Sequence, residues 1–417
     1  MKFKYYPAFI LAAFIVTGCG MEGLPLAEDT DGGSRASTLQ AADIASSGSQ
    51  ASAEISNGSF PLDSQASTEI SNGSFPLGSQ ASGAGASEST DLGGGSPGPS
   101  ASAGNTSGSG SAESFAALHG ALSVKGTSLT DQNGSSVRLY GMSTHGIAWF
   151  PQYVSYDAFR TLRDDWNTNC VRLALYTDEY NGYSNGGNQE ELKSLVKEGI
   201  DYATDLGMYV IVDWHVLNDR DPNVHKEDAV GFFREISSLY GDHTNILYEI
   251  CNEPNGSTTW DNIKSYANEV IPVIRENDAD AVILVGTPTW SQDIHQAAAS
   301  PLEFDNVMYT LHFYAATHTD DLRSRLETCV SEGLPVFISE FGMCDASGNG
   351  GNDFGQAEKW MELMDKYQIS FCCWNLANKA ETSSVLKSGC DKTSDWAEDD
   401  LSESGRWIRE RFRGQTE

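Results

Sequence analysis

From about Phe115 onward this chain alternates short β-branched and aromatic runs with longer amphipathic stretches, and that alternation restricts the folds open to it more than any other feature. Strand, helix, strand in repetition is the pattern of a parallel sheet with crossover helices. Eight runs qualify as strands: 137–143, 170–176, 209–215, 246–252, 281–286, 307–313, 336–340 and 369–374. Between them, 188–206, 225–240, 260–277, 320–332 and 356–367 carry apolar residues at helical spacing. Eight strands in about 300 residues predict a closed (β/α)8 TIM barrel over 115–417. The rival is an open doubly wound sheet, which gathers ligands at one switch point; here polar residues end nearly every strand, which favours the barrel. The piece 121–129, followed by Asp131-Gln132-Asn133-Gly134, predicts a short hairpin that caps the barrel bottom.

The preceding residues read differently. Lys2 and Lys4 lead into an apolar run over 8–16 that is too short to span a bilayer but suits a signal peptide, taken as 1–18. Val16-Thr17-Gly18-Cys19 resembles a bacterial lipobox, so Cys19 is the expected lipidation site and membrane anchor. The alternative is an ordinary signal peptide cut nearby to release the protein. Either way the chain is expected to be exported, tethered at the bacterial cell surface or envelope or set free. Residues 19–114 are dominated by Ser, Gly and Ala, which cannot offset the entropy of ordering, so a disordered linker is expected. Within it the segment 49–62 recurs almost unchanged at 64–77, a period of fifteen residues. That repeat is too short and too polar for a solenoid. As a coil the linker would reach on the order of 50 Å.

The formal charge is −32; residues 1–112 hold ten acidic and three basic residues, leaving −25 on the remainder. Such a surface repels phosphate backbones, so nucleic acid is not an expected partner, whereas a neutral carbohydrate is indifferent to it. A monomer is expected. Beyond Cys19 there are seven cysteines. Cys170, Cys251, Cys372 and Cys373 sit in apolar runs as small hydrophobes, and no spacing resembles a zinc site. Cys329, Cys344 and Cys390 lie in less buried-looking contexts, where one disulfide could form.

Two strands end in the same way. The run 246–250 leads to Asn252-Glu253-Pro254, and 336–338 leads to Ser339-Glu340-Phe341-Gly342. Two glutamates delivered to one barrel face suggest a hydrolytic pair, in which an acid protonates a leaving oxygen and a carboxylate meets an oxocarbenium-like centre, with no metal or cofactor. Other strand ends bring Ser143-Thr144-His145-Gly146, Arg172, Asp213-Trp214-His215, His312-Phe313-Tyr314 and Trp374-Asn375 to that face. Arg172 is costly in an apolar strand unless it meets a carboxylate; beside Glu340 it would keep that group ionised. Glu253 needs the opposite, a pKa raised by poor solvation and a negative neighbour. A buried ion pair with Arg172 is the purely structural alternative. His145, His215 and His312 could form a metal site, yet no His-x-His or His-Glu-x-x-His pattern supports one. Trp149, Tyr176, Trp290 and Trp374 are candidates to carry sugars on their apolar faces, with loop packing the lesser alternative for Trp149 and Trp290. His225, His243, His295 and His318 show nothing beyond surface or loop placement.

Taken in order, these motifs together with Trp374-Asn375-Leu376-Ala377-Asn378-Lys379-Ala380-Glu381 resemble glycoside hydrolase family 5, in particular its bacterial endoglucanases of subfamily 2, from Leu122 to the C-terminus. The resemblance implies a retaining β-1,4-glucanase with Glu253 as general acid/base and Glu340 as nucleophile. It further implies that Asn252 binds the sugar 2-hydroxyl, that His145 and His215 bond hydroxyls next to the cleavage point, that His312 and Tyr314 orient the carboxylates, and that Lys379 and Glu381 reach a more distant glucose. Cys251 stands where the family more often has alanine. Ala380 replaces a residue that is commonly acidic, which leaves the choice between glucan and mannan open. A mannanase or broad β-glucanase is the alternative within the family, and a non-catalytic glycan-binding lipoprotein the alternative outside it.

Overall fold

The computed structural model describes residues 114–415. The signal peptide, Cys19 and almost all of the Ser/Gly/Ala-rich segment, with its repeat, lie outside the described residues. The described chain opens with α1 (Phe115–His119), capped by the Ser114 side chain, and three short antiparallel strands, β1 (Ser123–Lys125), β2 (Ser128–Thr130) and β3 (Ser136–Val137). The expected hairpin is thus a three-stranded sheet, with turns at Gly126 and at Asp131–Gly134. Val137 belongs to this sheet and not to the first barrel strand.

The barrel follows in strict alternation: β4 (Tyr140–Thr144), α2 (Tyr156–Asp164), β5 (Cys170–Tyr176), α3 (Gln189–Leu206), β6 (Tyr209–His215), α4 (Lys226–Tyr240), β7 (Ile246–Glu249), α5 (Trp260–Arg275), β8 (Val282–Val285), α6 (Pro288–Ser291), α7 (Ile294–Ala299), β9 (Val307–Thr310), β10 (Phe313–Tyr314), α8 (Asp320–Ser331), β11 (Val336–Gly342), α9 (Phe354–Tyr367), β12 (Phe371–Leu376) and α10 (Glu403–Arg413). Every barrel pairing is parallel. Pairing of β12 with β4 and of β9 with β11 closes the ring, and β10 is a two-residue continuation of β9 beside β11. No open sheet edge is left, so the doubly wound alternative is discarded.

Local chemistry sets the helix limits. Asn188 caps α3, with Glu190 and Glu191 in its first turn, and Gly207 ends it at φ +66°, a conformation glycine adopts without a Cβ penalty. Thr259 and Asn262 form a reciprocal capping box at α5.

Inside the barrel the layering is what makes the site. Leu122, Leu129, Val137 and Leu139 from the first sheet and its exit pack on Cys170, Ile211, Leu247, Phe337 and Cys372 at the bottom of the strands. Side chains alternate along a strand, so the interior position two residues further on faces the same lumen. Those positions hold Arg172, Asp213, Glu249, Ser339 and Trp374, all buried. An apolar floor therefore carries a polar layer, and the capping role expected of the hairpin is met.

All seven described cysteines are free and buried, Cys329, Cys344 and Cys390 included. The less buried setting expected for those three is corrected by their packing against the barrel, and no disulfide joins them. No helix among the described residues is long and apolar enough to cross a membrane.

Candidate active site

Arg172 is the hub of the polar layer. Its guanidinium is completely buried and donates through Nε and Nη2 to the two oxygens of Glu249 (2.7 and 3.2 Å), through Nη2 to Asn252 Oδ1 (2.6 Å), and through Nη1 to Ser143 Oγ (3.2 Å) and Glu340 Oε2 (3.3 Å). Asp213 Oδ2 lies 3.0 Å from Nη2. The expected pairing of Arg172 with Glu340 exists, but the bidentate partner is Glu249. The sequence reading missed Glu249 because it follows three apolar-looking strand positions. The available signal was parity: Glu249 stands two residues after Leu247, on the interior face, as Arg172 does after Cys170.

One oxygen of Glu253, one of Glu340 and one ring nitrogen of His312 lie within 4.8 Å of one another. A separation of this size matches retaining glycosidases, whose carboxyls sit about 5–5.5 Å apart; inverting ones need about 6.5–9.5 Å. Both glutamates are buried, Glu253 at 9% and Glu340 at 4% exposure. Burial pushes Glu253 up to about 8; Arg172 opposes this, while Asp213 and Glu249 add to it. The expected source of like charge was Glu340, so the supporting carboxylates are different ones. Glu340 is also raised, by burial first and then by Glu253, with His312, Arg172 and His215 pulling the other way. Arg172 thus moderates the nucleophile candidate's pKa without returning it to the ordinary range, a correction to the simple ion-pair expectation. Two carboxyls this close share one proton near neutrality. The donors place the charge: Tyr314 Oη donates to Glu340 Oε1 at 2.7 Å and Arg172 to Oε2, so both Glu340 oxygens are served as a carboxylate.

The histidines are held neutral. His312 is lowered to about 4 and His215 well below its ordinary value, both chiefly by burial. His312 Nδ1 lies 2.9 Å from Glu253 Oε1 and its Nε2 2.9 Å from Ser339 Oγ, which donates to Glu249 Oε1 at 2.7 Å. His215 Nδ1 lies 2.6 Å from Asp213 Oδ2 and its Nε2 3.2 Å from Asn252 Nδ2, so Asp213 fixes the proton on Nδ1 and Asn252 is clamped between Arg172 and His215. Glu253, His312 and Glu340 are the one group among the described residues spaced to hold a metal ion, but both His312 nitrogens are already engaged. The trio handles protons better than a cation.

An aromatic wall flanks this centre. Tyr176 lies against His215 (ring centroids 4.0 Å) and Trp149 (4.8 Å), while Trp374 stacks on His215 (5.3 Å) and lies 5.2 Å from His145. Gly146 makes this possible, since a Cβ there would lie 2.4 Å from the Trp149 ring and 2.7 Å from Tyr176. At the far end of the wall, Lys379 Nζ sits 2.6 Å from Glu381 Oε2 and 3.2 Å from His145 Nε2, and burial with the Lys379 charge lowers His145 to about 3. Asn375 and Ser383 fix Glu381 from below.

Trp290 stands apart from this wall. It is 46% exposed, and its backbone N–H donates to the carbonyl of Pro254. Thr289, Trp290 and Ser291 all have φ between 53° and 60°, strained for non-glycine residues, and Ser291 holds them by donating from Oγ to Asn252 O at 2.6 Å. Sequence reasoning did not find Ser291. It also left His318 as a loop residue, whereas His318 Nδ1 accepts the Tyr314 N–H at 2.8 Å and so positions the Glu340 donor.

Comparison with known proteins agrees with this geometry. The family model described as Cellulase (glycosyl hydrolase family 5) matches residues 130–380. The chain is 52% identical to Endoglucanase A of Butyrivibrio fibrisolvens over 293 residues, which covers 70% of this chain and 68% of that protein. It is 46% identical to an endoglucanase of Clostridium saccharobutylicum, covering 71% of this chain and 65% of that protein. The chain thus spans about two thirds of these relatives' own lengths. Among solved structures, the catalytic domain of Thermobifida fusca endoglucanase Cel5A, in complex with cellotetraose, superimposes with a TM-score of 0.69 at 38% identity, covering 72% of this chain and all of that one. With the barrel, the paired glutamates and these relatives in agreement, the chain belongs to glycosyl hydrolase family 5, the cellulases.

Proposed function

We propose that the barrel is a retaining endo-β-1,4-glucanase that cleaves internal linkages of cellulose-like glucans. The observation that carries this is the Glu253–Glu340 pair, close enough to face one sugar linkage and unequally supplied with hydrogen-bond donors. Glu253 protonates the glycosidic oxygen as Glu340 attacks the anomeric carbon, forming a glycosyl-enzyme ester and releasing the leaving chain. Esterification neutralises Glu340, and Glu253, now ionised, takes a proton from the water that cleaves the ester. Tyr314 and Arg172 hold Glu340 for attack, and Asn252 is clamped to bond the 2-hydroxyl of the reacting sugar.

The aromatic wall gives the substrate its platform. Trp149, Tyr176 and Trp374 present ring faces and edges, His145 and His215 stand beside them where a sugar hydroxyl would share their Nε2 atoms with Lys379 and Asn252, and the Lys379–Glu381 pair offers polar contacts further from the scissile bond. Trp290, exposed beyond the acid, suits the leaving side. A cello-oligosaccharide is the matching ligand, as cellotetraose is for the related T. fusca domain. Cys19 would anchor the protein to a membrane of the bacterial envelope, with the Ser/Gly/Ala-rich segment as spacer.

Glu340→Ala is expected to abolish hydrolysis of soluble cellulose while the protein stays folded, with azide restoring turnover as a glycosyl azide. Full activity in that variant would reject Glu340 as nucleophile. Products from soluble cellulose, lichenan, xylan and mannan, measured side by side, test the specificity; faster release from mannan would move the enzyme to another substrate.

A further inference from the structure

The loop that leaves β5 beyond Tyr176 is rigidly built and carries an unused ring at its tip. It folds back on its own strand, since Tyr183 N donates to Tyr176 O at 2.8 Å and Ser184 N to Thr177 O at 2.9 Å. Tyr183 buries its side chain against Trp214 and Phe232, with ring centroids 5.1 and 5.7 Å away. The neighbouring loop after β6 clasps it from the other side: Asn218 N donates to Glu179 Oε1 at 3.0 Å, and His225 Nε2 lies 3.1 Å from Asp178 Oδ1. Nearer the tip, Gly182 N donates to Glu179 O at 2.6 Å and Asn181 N to Asn185 O at 3.0 Å. Tyr180 stands on that tip. It is 78% exposed, more than any other large apolar side chain among the described residues. Among those residues its ring stacks on no other ring and its hydroxyl has no hydrogen-bond partner.

A single exposed tyrosine is ordinary on a folded domain and by itself calls for no role. Position separates this one from the others. Tyr156 opens α2 and packs on Tyr202 outside the barrel, and Trp290 lies on the leaving side. Tyr180 instead is joined to the aromatic wall, because its carbonyl accepts the indole N–H of Trp149 at 3.1 Å. Trp149 in turn meets Tyr176 edge-on at 4.8 Å. Tyr176 is buried, Trp149 half-buried and Tyr180 exposed, so the three follow one another from the catalytic centre to the rim. With Trp290 taking the leaving chain, this wall carries the glycone, the part of the substrate that stays on Glu340.

We infer that Tyr180 is a further sugar platform, an outer glycone subsite that takes the glucose unit beyond the one at Trp149 and extends the grip on a long β-1,4-glucan. A pyranose offers an apolar C–H face to an aromatic ring, and the free phenol at the ring's end can bond a sugar hydroxyl. The fixed loop favours this use. Tyrosine has only two side-chain torsions and its backbone is already ordered, so little entropy opposes binding. A contact this far from the scissile bond holds substrate and transition state alike, so it acts on KM and on kcat/KM and leaves kcat alone. Substrates too short to reach Tyr180 gain nothing from it, and chain length is therefore what this residue selects.

The platform rests on the glucanase reading above, and kinetics on two substrates separate them. Cellohexaose is long enough to reach the tip; dinitrophenyl cellobioside ends two sugars from the cleavage point and is not. Tyr180→Ala should raise KM for cellohexaose about fivefold at unchanged kcat, the loss of one stacked ring, while its kinetics on the short substrate, which cannot reach the ring, stay those of the wild type. Tyr180→Trp, which keeps an aromatic face, should hold the wild-type KM for cellohexaose. Titration calorimetry of cellohexaose into Glu340→Gln, with and without Tyr180→Ala, should show the same weakening in the absence of turnover. An unchanged KM and an unchanged affinity for cellohexaose in Tyr180→Ala overturn the platform. An equal loss on the short substrate overturns it as well, since Tyr180 would then act only by holding Trp149. A wild-type enzyme that leaves cellohexaose uncut fails the glucanase reading instead, and the platform with it.

Discussion

At the scale of single residues, function here depends on where one proton resides. Glu253 works as an acid only while protonated, and burial raises it to about 8. Activity governed by free enzyme should therefore fall as pH rises through that value, in contrast to an exposed glutamate, which would already be ionised near pH 4–5, and should fall again on the acid side as Glu340 takes up its proton. A kcat/KM profile on soluble cellulose checks this; an alkaline limb near pH 5 would show that Glu253 is not the group that donates. Much of this was legible in the chain, because Asn252-Glu253-Pro254 and Ser339-Glu340-Phe341-Gly342 announce themselves at strand ends. Glu249 was not. A carboxylate inside an apolar run reads as an interruption until the strand's interior parity is known, and only then does it fall opposite Arg172. Ser291 and His318 escaped for a different reason: each acts through a backbone contact, with Asn252 O and with Tyr314 N–H, and such contacts leave no mark on sequence.

At the scale of elements, the strands carry the residues and the helices fix the strands. α9 shows the coupling. Trp360 on α9 is fully buried and stacks on Phe313 with ring centroids 3.9 Å apart at 7°, while its Nε1 donates to His318 O at 2.8 Å. It thereby braces both Phe313 of the short strand β10, between His312 and Tyr314, and the histidine that positions Tyr314. Trp360→Ala should destabilise the domain by about 3–5 kcal/mol and lower kcat as well, since the Tyr314 hydroxyl loses its support. Urea unfolding with a parallel activity assay measures both; a loss below about 1 kcal/mol would show that α9 does not hold this corner. The eight strands were readable from their apolar runs, and five helices from their spacing. The first strand was read too early because Val137 and the barrel strand are separated only by Arg138 and Leu139, and nothing in that run marks the change of sheet. α2 and α10 were missed since short, charged helices such as Tyr156–Asp164 show their apolar face only once the barrel supplies something to cover.

At the scale of the whole molecule, a barrel with an apolar floor and a polar upper layer is joined to an N-terminal segment with a lipobox-like cysteine. If Cys19 carries lipid, Cys19→Ala should move the enzyme from the membrane pellet to the soluble fraction without changing its kcat/KM on soluble cellulose, because every residue of the site lies between Ser143 and Ser383. Equal partition of both forms would remove the anchor. The domain carries its reaction in two carboxyls within reach of one pyranose ring, and that spacing dictates stereochemistry. The most direct measurement is the anomeric configuration of the product at first appearance, followed by proton NMR as the enzyme cleaves cellopentaose, before mutarotation mixes the anomers. The β-anomer appearing first is the expected result and requires a covalent intermediate on Glu340; the α-anomer appearing first would mean direct attack by water and would contradict the two-step mechanism.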